Sequence, residues 1–76
     1  MERRYTIVLI PEPEEGGYSV LVPVLPGCVT HGRTVEESVE NAQEAIGVYI
    51  DSLQAHGEPV PEEREQPEVI TVRVAA

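Results

Sequence analysis

Seventy-six residues carry 14 acids against five arginines and no lysine, a formal charge of −9. That sign excludes a nucleic-acid binder working through phosphate neutralisation, and the single cysteine excludes an internal disulfide. A chain this short is one domain, residues 1–76, that buries only a little over ~60% of its unfolded surface, so self-association is the expected further source of stability.

The first stretch, YTIVLI, predicts a strand over about 5–10. Tyr5, Ile7 and Leu9 fall on one face and Val8 and Ile10 on the other, the pattern of a strand covered on both sides. PEPEEGG is a polar turn holding Glu14 and Glu15. YSVLV predicts a second strand over about 18–22, paired with the first as a hairpin.

Pro23 ends that strand because it cannot donate to a ladder. Pro26-Gly27 suits the central positions of a type II turn, with Gly27 supplying the positive φ. CVTH predicts a short third strand over about 28–31, closed by Gly32.

A helix is expected over about 35–56. Thr34 with Glu37 three residues on forms a capping box, and Glu36 and Glu37 favour the positive end of the helix dipole. Val35, Val39, Ala42, Ile46, Tyr49, Ile50 and Leu53 make one apolar stripe at steps of three and four. Glu36, Glu40, Gln43, Glu44, Gly47, Asp51 and Gln54 take the opposite side, and Gly57 is the natural C′ residue.

GEPVPEEREQPE is a Pro- and Glu-rich connection without periodicity. VITVRV predicts a fourth strand over about 69–74. The order is β-β-β-α-β: an α+β domain with a mostly antiparallel sheet and one helix packed on one face. One helix covers one face only, so the other exposes an apolar patch that a second copy would cover. A homodimer or tetramer is expected.

The chemistry-bearing residues are sparse. Cys28 and His31 stand in a C-x-x-H spacing, but three residues apart on a strand they point to opposite faces, and zinc needs further ligands. The expectation is a small buried Cys, a surface His and no metal or cofactor. No carboxylate interrupts YTIVLI, where a sheet-based nuclease would place one, and Gly16-Gly17 precedes a strand rather than the helix that a phosphate-cradling loop requires. The helix holds no Lys or Arg to read a groove. No stretch resembles a signal peptide, and no apolar run approaches the ~20 residues of a membrane span, so a cytoplasmic protein without membrane contact or small-molecule substrate is expected.

The ordered motifs Y-x-hydrophobic, E-x-G-G-Y, V-P-x-L-P-G-C, G-x-T-x-E-E, N-A-x-E-A-I and G-E-P-x-P, running from Tyr5 to about Glu63, resemble the HicB-like antitoxin family. The resemblance implies a core similar to a degraded ribonuclease H, with sheet order 3-2-1-4 and the catalytic carboxylates lost. It implies a non-catalytic protein that neutralises a small basic HicA-type ribonuclease of a type II toxin–antitoxin system. Many family members also carry a C-terminal helix-turn-helix or ribbon-helix-helix module, and the expectation here is a stand-alone domain without it. Val24 stands where the family often has an acid.

The turn and cap residues Pro23, Pro26, Gly27, Gly32, Thr34, Glu37 and Gly57 are therefore read as architecture. The partner-steering acids are expected to be Glu36, Glu40 and Glu44 on the helix and Glu14 and Glu15 in the hairpin, with Glu62, Glu63 and Glu65 in the connection. Two other readings stand beside this one: a free-standing oligomer with a regulatory or structural role, and a metal-dependent nuclease.

Overall fold

The computed structural model describes residues 2–76. Three strands, β1 (Val8–Pro11), β2 (Tyr18–Leu21) and β3 (Val29–Gly32), precede one helix, α1 (Val35–Ala55). The sheet is antiparallel in the order β1-β2-β3. Val8 lies opposite Leu21, and Tyr18 lies opposite both Pro11 and Gly32. α1 crosses one face, packed mainly on β3 and β2.

The elements differ from the sequence expectation in ways the register explains. β1 begins at Val8 rather than Tyr5. Continuing the β1–β2 register would set Thr6 opposite Pro23, which has no N–H to give, and β2 accordingly stops at Leu21 rather than Val22. β3 runs from Val29 through Gly32, one residue later at each end than expected, because Tyr18 still finds Gly32 across the ladder. α1 ends at Ala55, with His56 as its cap.

The larger correction concerns residues 69–74. They form no strand, and the fourth place in the expected order 3-2-1-4 is empty beside β1.

The core is small. Val20, Val22, Leu25, Cys28 and Ala42 are buried, with Tyr5, Ile7, Ala45, Ile46 and Tyr49 packed around the central three. Leu25 is held there by two consecutive turns. Its N–H donates to Val22 O at 3.0 Å, and its carbonyl accepts from Cys28 N–H at 3.0 Å across Pro26-Gly27, with Gly27 at φ 81°.

Val35 and Val39, expected in the buried stripe, are exposed. At this end α1 turns Ser38 and Ala42 to the sheet, 0% and 1% exposed, so the two valines sit at the margin of the inward face rather than at its centre.

Both helix ends are closed. Thr34 Oγ1 accepts from Glu37 N–H at 3.0 Å, and Glu37 Oε1 accepts from Arg33 N–H at 3.2 Å, one residue before the cap residue that a capping box would use. At the far end Gly57, at φ 67°, donates to Gln54 O at 3.1 Å, and Glu58 N–H donates to Leu53 O at 2.8 Å, a Schellman closure.

Candidate functional site

Two kinds of surface stand out on this frame. The first is acidic. Glu36, Glu40 and Glu44 recur every four residues along α1, so they lie on one ridge about 6 Å apart in rise, and all three are exposed. Glu14 and Glu15 are exposed at the tip of the β1–β2 turn. That turn is tied by Gly16 N–H to Glu12 O at 2.7 Å and Glu12 N–H to Gly17 O at 2.9 Å. Glu12 itself is half-buried and accepts from the Ser19 hydroxyl at 2.6 Å, which leaves the two tip acids as the free charges of the turn.

The acids of the connection are not equivalent. Glu62 is exposed and stands 3.8 Å from Arg64, and Glu65 is exposed. Glu63 is half-buried: its carboxylate accepts from both the N–H and the hydroxyl of Thr6, at 2.6 Å each. The expectation that Glu63 is a steering charge on open ground is corrected here. Its carboxylate fastens the connection to the start of β1, and Tyr5 OH donating to Pro61 O at 2.5 Å holds the same junction.

The second surface is a groove of about 360 Å³ between β3 and α1, lined by Cys28, Val29, Thr30, Glu44, Val48 and Tyr49 among others. Val48, 65% exposed, lines it from the helix side, an apolar side chain beside the acidic ridge that Glu44 shares. β3 is an edge strand, so its outer backbone groups also face this side. The groove wall is stiff. Tyr49 OH donates to Pro26 O at 2.8 Å, and Asn41 Nδ2 donates to His31 O at 2.7 Å, tying α1 to the turn before β3 and to β3 itself.

A second apolar row crosses the face of the sheet that α1 leaves open. Val8, Leu21 and Val29 lie side by side in register, with Leu21 and Val29 exposed.

Cys28 is buried and its thiol is pushed above its ordinary pKa by desolvation; His31 is exposed. A protonated, buried thiol is a poor nucleophile. Among the described residues no three His, Cys, Asp or Glu side chains gather as a metal-binding set. What the arrangement offers is a rigid, negatively charged helix ridge beside an apolar groove, a surface suited to gripping another macromolecule.

Sequence reasoning missed Val48, Ser38 and the role of Glu63. Val48 lies off the apolar stripe and off the polar face. Ser38 is fully buried, its hydroxyl donating to Thr34 O at 2.7 Å, in the place where α1 comes down on Gly32. The signal for Ser38 was the backbone-like hydroxyl one turn into the helix opposite a strand glycine.

The fold is that of a small α+β domain, one helix on a three-stranded antiparallel sheet. Residues 5–72 match the family described as the HicB_like antitoxin of bacterial toxin-antitoxin system, and the chain belongs to that family. A UPF0150 protein of Thermoplasma acidophilum is 48% identical over 69 residues, 91% of this chain and 96% of that protein. A UPF0150 protein of Synechocystis is 48% identical over 59 residues, 78% of this chain and 73% of its own length. Antitoxin HicB of Escherichia coli K12 is 38% identical over 58 residues, 76% of this chain but 41% of that longer protein. No helix among the described residues is long and apolar enough to cross a membrane.

Proposed function

We propose that this chain is a non-catalytic antitoxin module that neutralises a small basic ribonuclease of the HicA type, in the cytoplasm, by covering its RNA-binding surface. The observation that carries the reading is the exposed ridge Glu36–Glu40–Glu44 beside the groove lined by Val48 and Tyr49. An RNA-cleaving protein must present cations to phosphates. A rigid row of carboxylates competes for those cations, and an adjoining apolar groove provides the desolvated contact that slows release. Membership of an antitoxin family supports the same assignment.

The test is co-purification with the small basic protein encoded by the adjacent reading frame, followed by RNA cleavage with and without this chain. Stoichiometric inhibition is expected. No complex and no inhibition at low salt, with both proteins folded, would leave the free-standing oligomer as the better account.

A further inference from the structure

β3 forms the margin of the sheet beside the groove, and its hydrogen bonding can be followed rung by rung. Val22 N–H donates to Cys28 O at 3.2 Å, so Val22 and Cys28 are a bonded pair. Bonded and unbonded pairs alternate along an antiparallel ladder. Val20 with Thr30 and Tyr18 with Gly32 are therefore the next bonded pairs, and Val29 and His31 turn their backbone groups outward. One of those outward groups is already taken: His31 O accepts from Asn41 Nδ2 at 2.7 Å. The N–H and carbonyl of Val29 and the N–H of His31 find no partner among the described residues.

We infer that the β3 edge receives an extended segment of the basic partner as an added strand, held by these three backbone groups and stopped by the Asn41 amide. The inference rests on the antitoxin reading and adds how the partner is gripped. Main-chain bonds to an open edge supply affinity, and alternate side chains supply specificity.

The alternation sets what the segment carries. The Val29 side chain lies on the open sheet face, in the row Val8, Leu21, Val29, so the incoming residue beside it extends that row and is apolar. The next incoming residue falls on the other face, over the groove of about 360 Å³ where Glu44 stands beside Val48 and Tyr49. A long cationic side chain there meets Glu44, with Glu40 one turn back along α1. The segment thus alternates apolar and basic residues. A second copy of this chain fits the edge less well. Antiparallel pairing of two β3 strands keeps both helices on one face and turns Glu44 of each toward the joint, between chains that carry −9 apiece.

The experiment is amide hydrogen exchange of the full chain, free and saturated at low salt with the small basic protein of the adjacent reading frame. Binding is measured in parallel for Val29→Pro and Val29→Ile. Proline removes an outward N–H that the internal ladder does not use, a loss that edge strands tolerate, whereas isoleucine keeps both the N–H and the shape. The Val29 and His31 amides are expected to exchange fast in the free chain and about a hundredfold more slowly in the complex. Val29→Pro is expected to weaken binding by about tenfold or more, and Val29→Ile by less than about threefold. A complex in which both amides stay fast overturns the edge docking and leaves the antitoxin reading standing, as does equal binding by the two variants. Absence of any complex between the folded proteins overturns both. Slow exchange of the two amides in the free chain assigns the edge to a second copy and overturns the proposal. Should Val29→Pro lose its helix signal, the exchange of the wild-type complex decides alone.

Discussion

Both carboxylate oxygens of Glu63 are held by Thr6, one by its N–H and one by its hydroxyl, at 2.6 Å each. These residues are 57 positions apart, and their contact decides where the connection after α1 runs. Each bond has an ionised acceptor, the stronger class of hydrogen bond. Glu63→Ala removes both and leaves a half-buried backbone N–H without a partner. It is expected to destabilise the domain by about 2 kcal/mol and to open residues 57–68 to protease. Glu62→Ala removes only an exposed pair with Arg64 and should shift the denaturant midpoint hardly at all.

Glycine positions separate close packing from open space. A Cβ on Gly32 would be driven into Ser38, 2.5 Å from its backbone nitrogen and also against its side chain, so helix backbone would have to move. Gly32→Ala is expected to destabilise by about 3 kcal/mol, or to prevent folding. Nothing lies within 4 Å of a Cβ on Gly47, an exposed helix position, so Gly47→Ala is expected to stabilise by about 1 kcal/mol. Thermal melts of the two variants should move in opposite directions.

The contrast between those glycines also shows what was legible beforehand. Local chemistry wrote itself plainly: Thr34 and Glu37 at the head of α1, Gly57 at its foot, and Pro26-Gly27 between β2 and β3 all act through neighbours within a few residues. Period-two and period-3.6 patterns located the three strands and the helix to within three residues. Glu63 was misread because a Pro- and Glu-rich stretch has no period, and its partner lies across the chain. Val35 and Val39 were misread because the apolar stripe is wider than the contact, and the buried line at this end of α1 runs through Ser38 and Ala42. Residues 69–74 were misread because β-branched alternation signals strand propensity, whereas a strand also needs an edge to pair with, and these residues pair with none among the described ones.

Loss of the helix cap should be measurable alone. Thr34→Ala removes the acceptor for Glu37 N–H and is expected to cost about 1 kcal/mol in denaturant unfolding. Thr34→Ser keeps the oxygen and should behave nearly as wild type. The cap is exposed and bonds only within its own helix, so neither variant is expected to change the oligomeric state read by sedimentation.

Burial raises the Cys28 thiol above its ordinary pKa, which sets a direction for alkaline stability. The folded state holds the proton more tightly than the unfolded chain, whose thiol titrates near ~8.5. The stabilising difference is complete below that value. As pH rises the unfolded state gains by ionising first, and folding free energy falls until the folded thiol also ionises. Stability is therefore expected to decline above about pH 8.5. Cys28→Ala should remove the thiol's part of that decline while lowering stability at neutral pH through lost packing. At pH 7.5 iodoacetamide should alkylate the native protein far more slowly than the denatured one.

The acidic ridge makes the kinetic prediction. Long-range charge attraction accelerates encounter with a basic partner and is screened over ~10 Å at 0.1 M salt, so the association rate should fall steeply with salt. Dissociation is governed by the desolvated part of the contact, where Val48 and Tyr49 line the groove, and should respond less. Glu36, Glu40 and Glu44 sit on a helix capped at both ends, whereas Glu14 and Glu15 sit at a turn tip. Charges held at fixed spacing orient an approaching partner better than charges on a turn. Reversing the three helix acids to Lys is expected to slow association by more than reversing the turn pair, beyond the one extra charge changed, with little effect of either set on dissociation. Surface-plasmon or stopped-flow measurement against the adjacent-frame protein, between low and physiological salt, reads both rates. An equal effect per charge from the two sets would mean that net charge alone steers the encounter, and that the helix ridge is not the docking face.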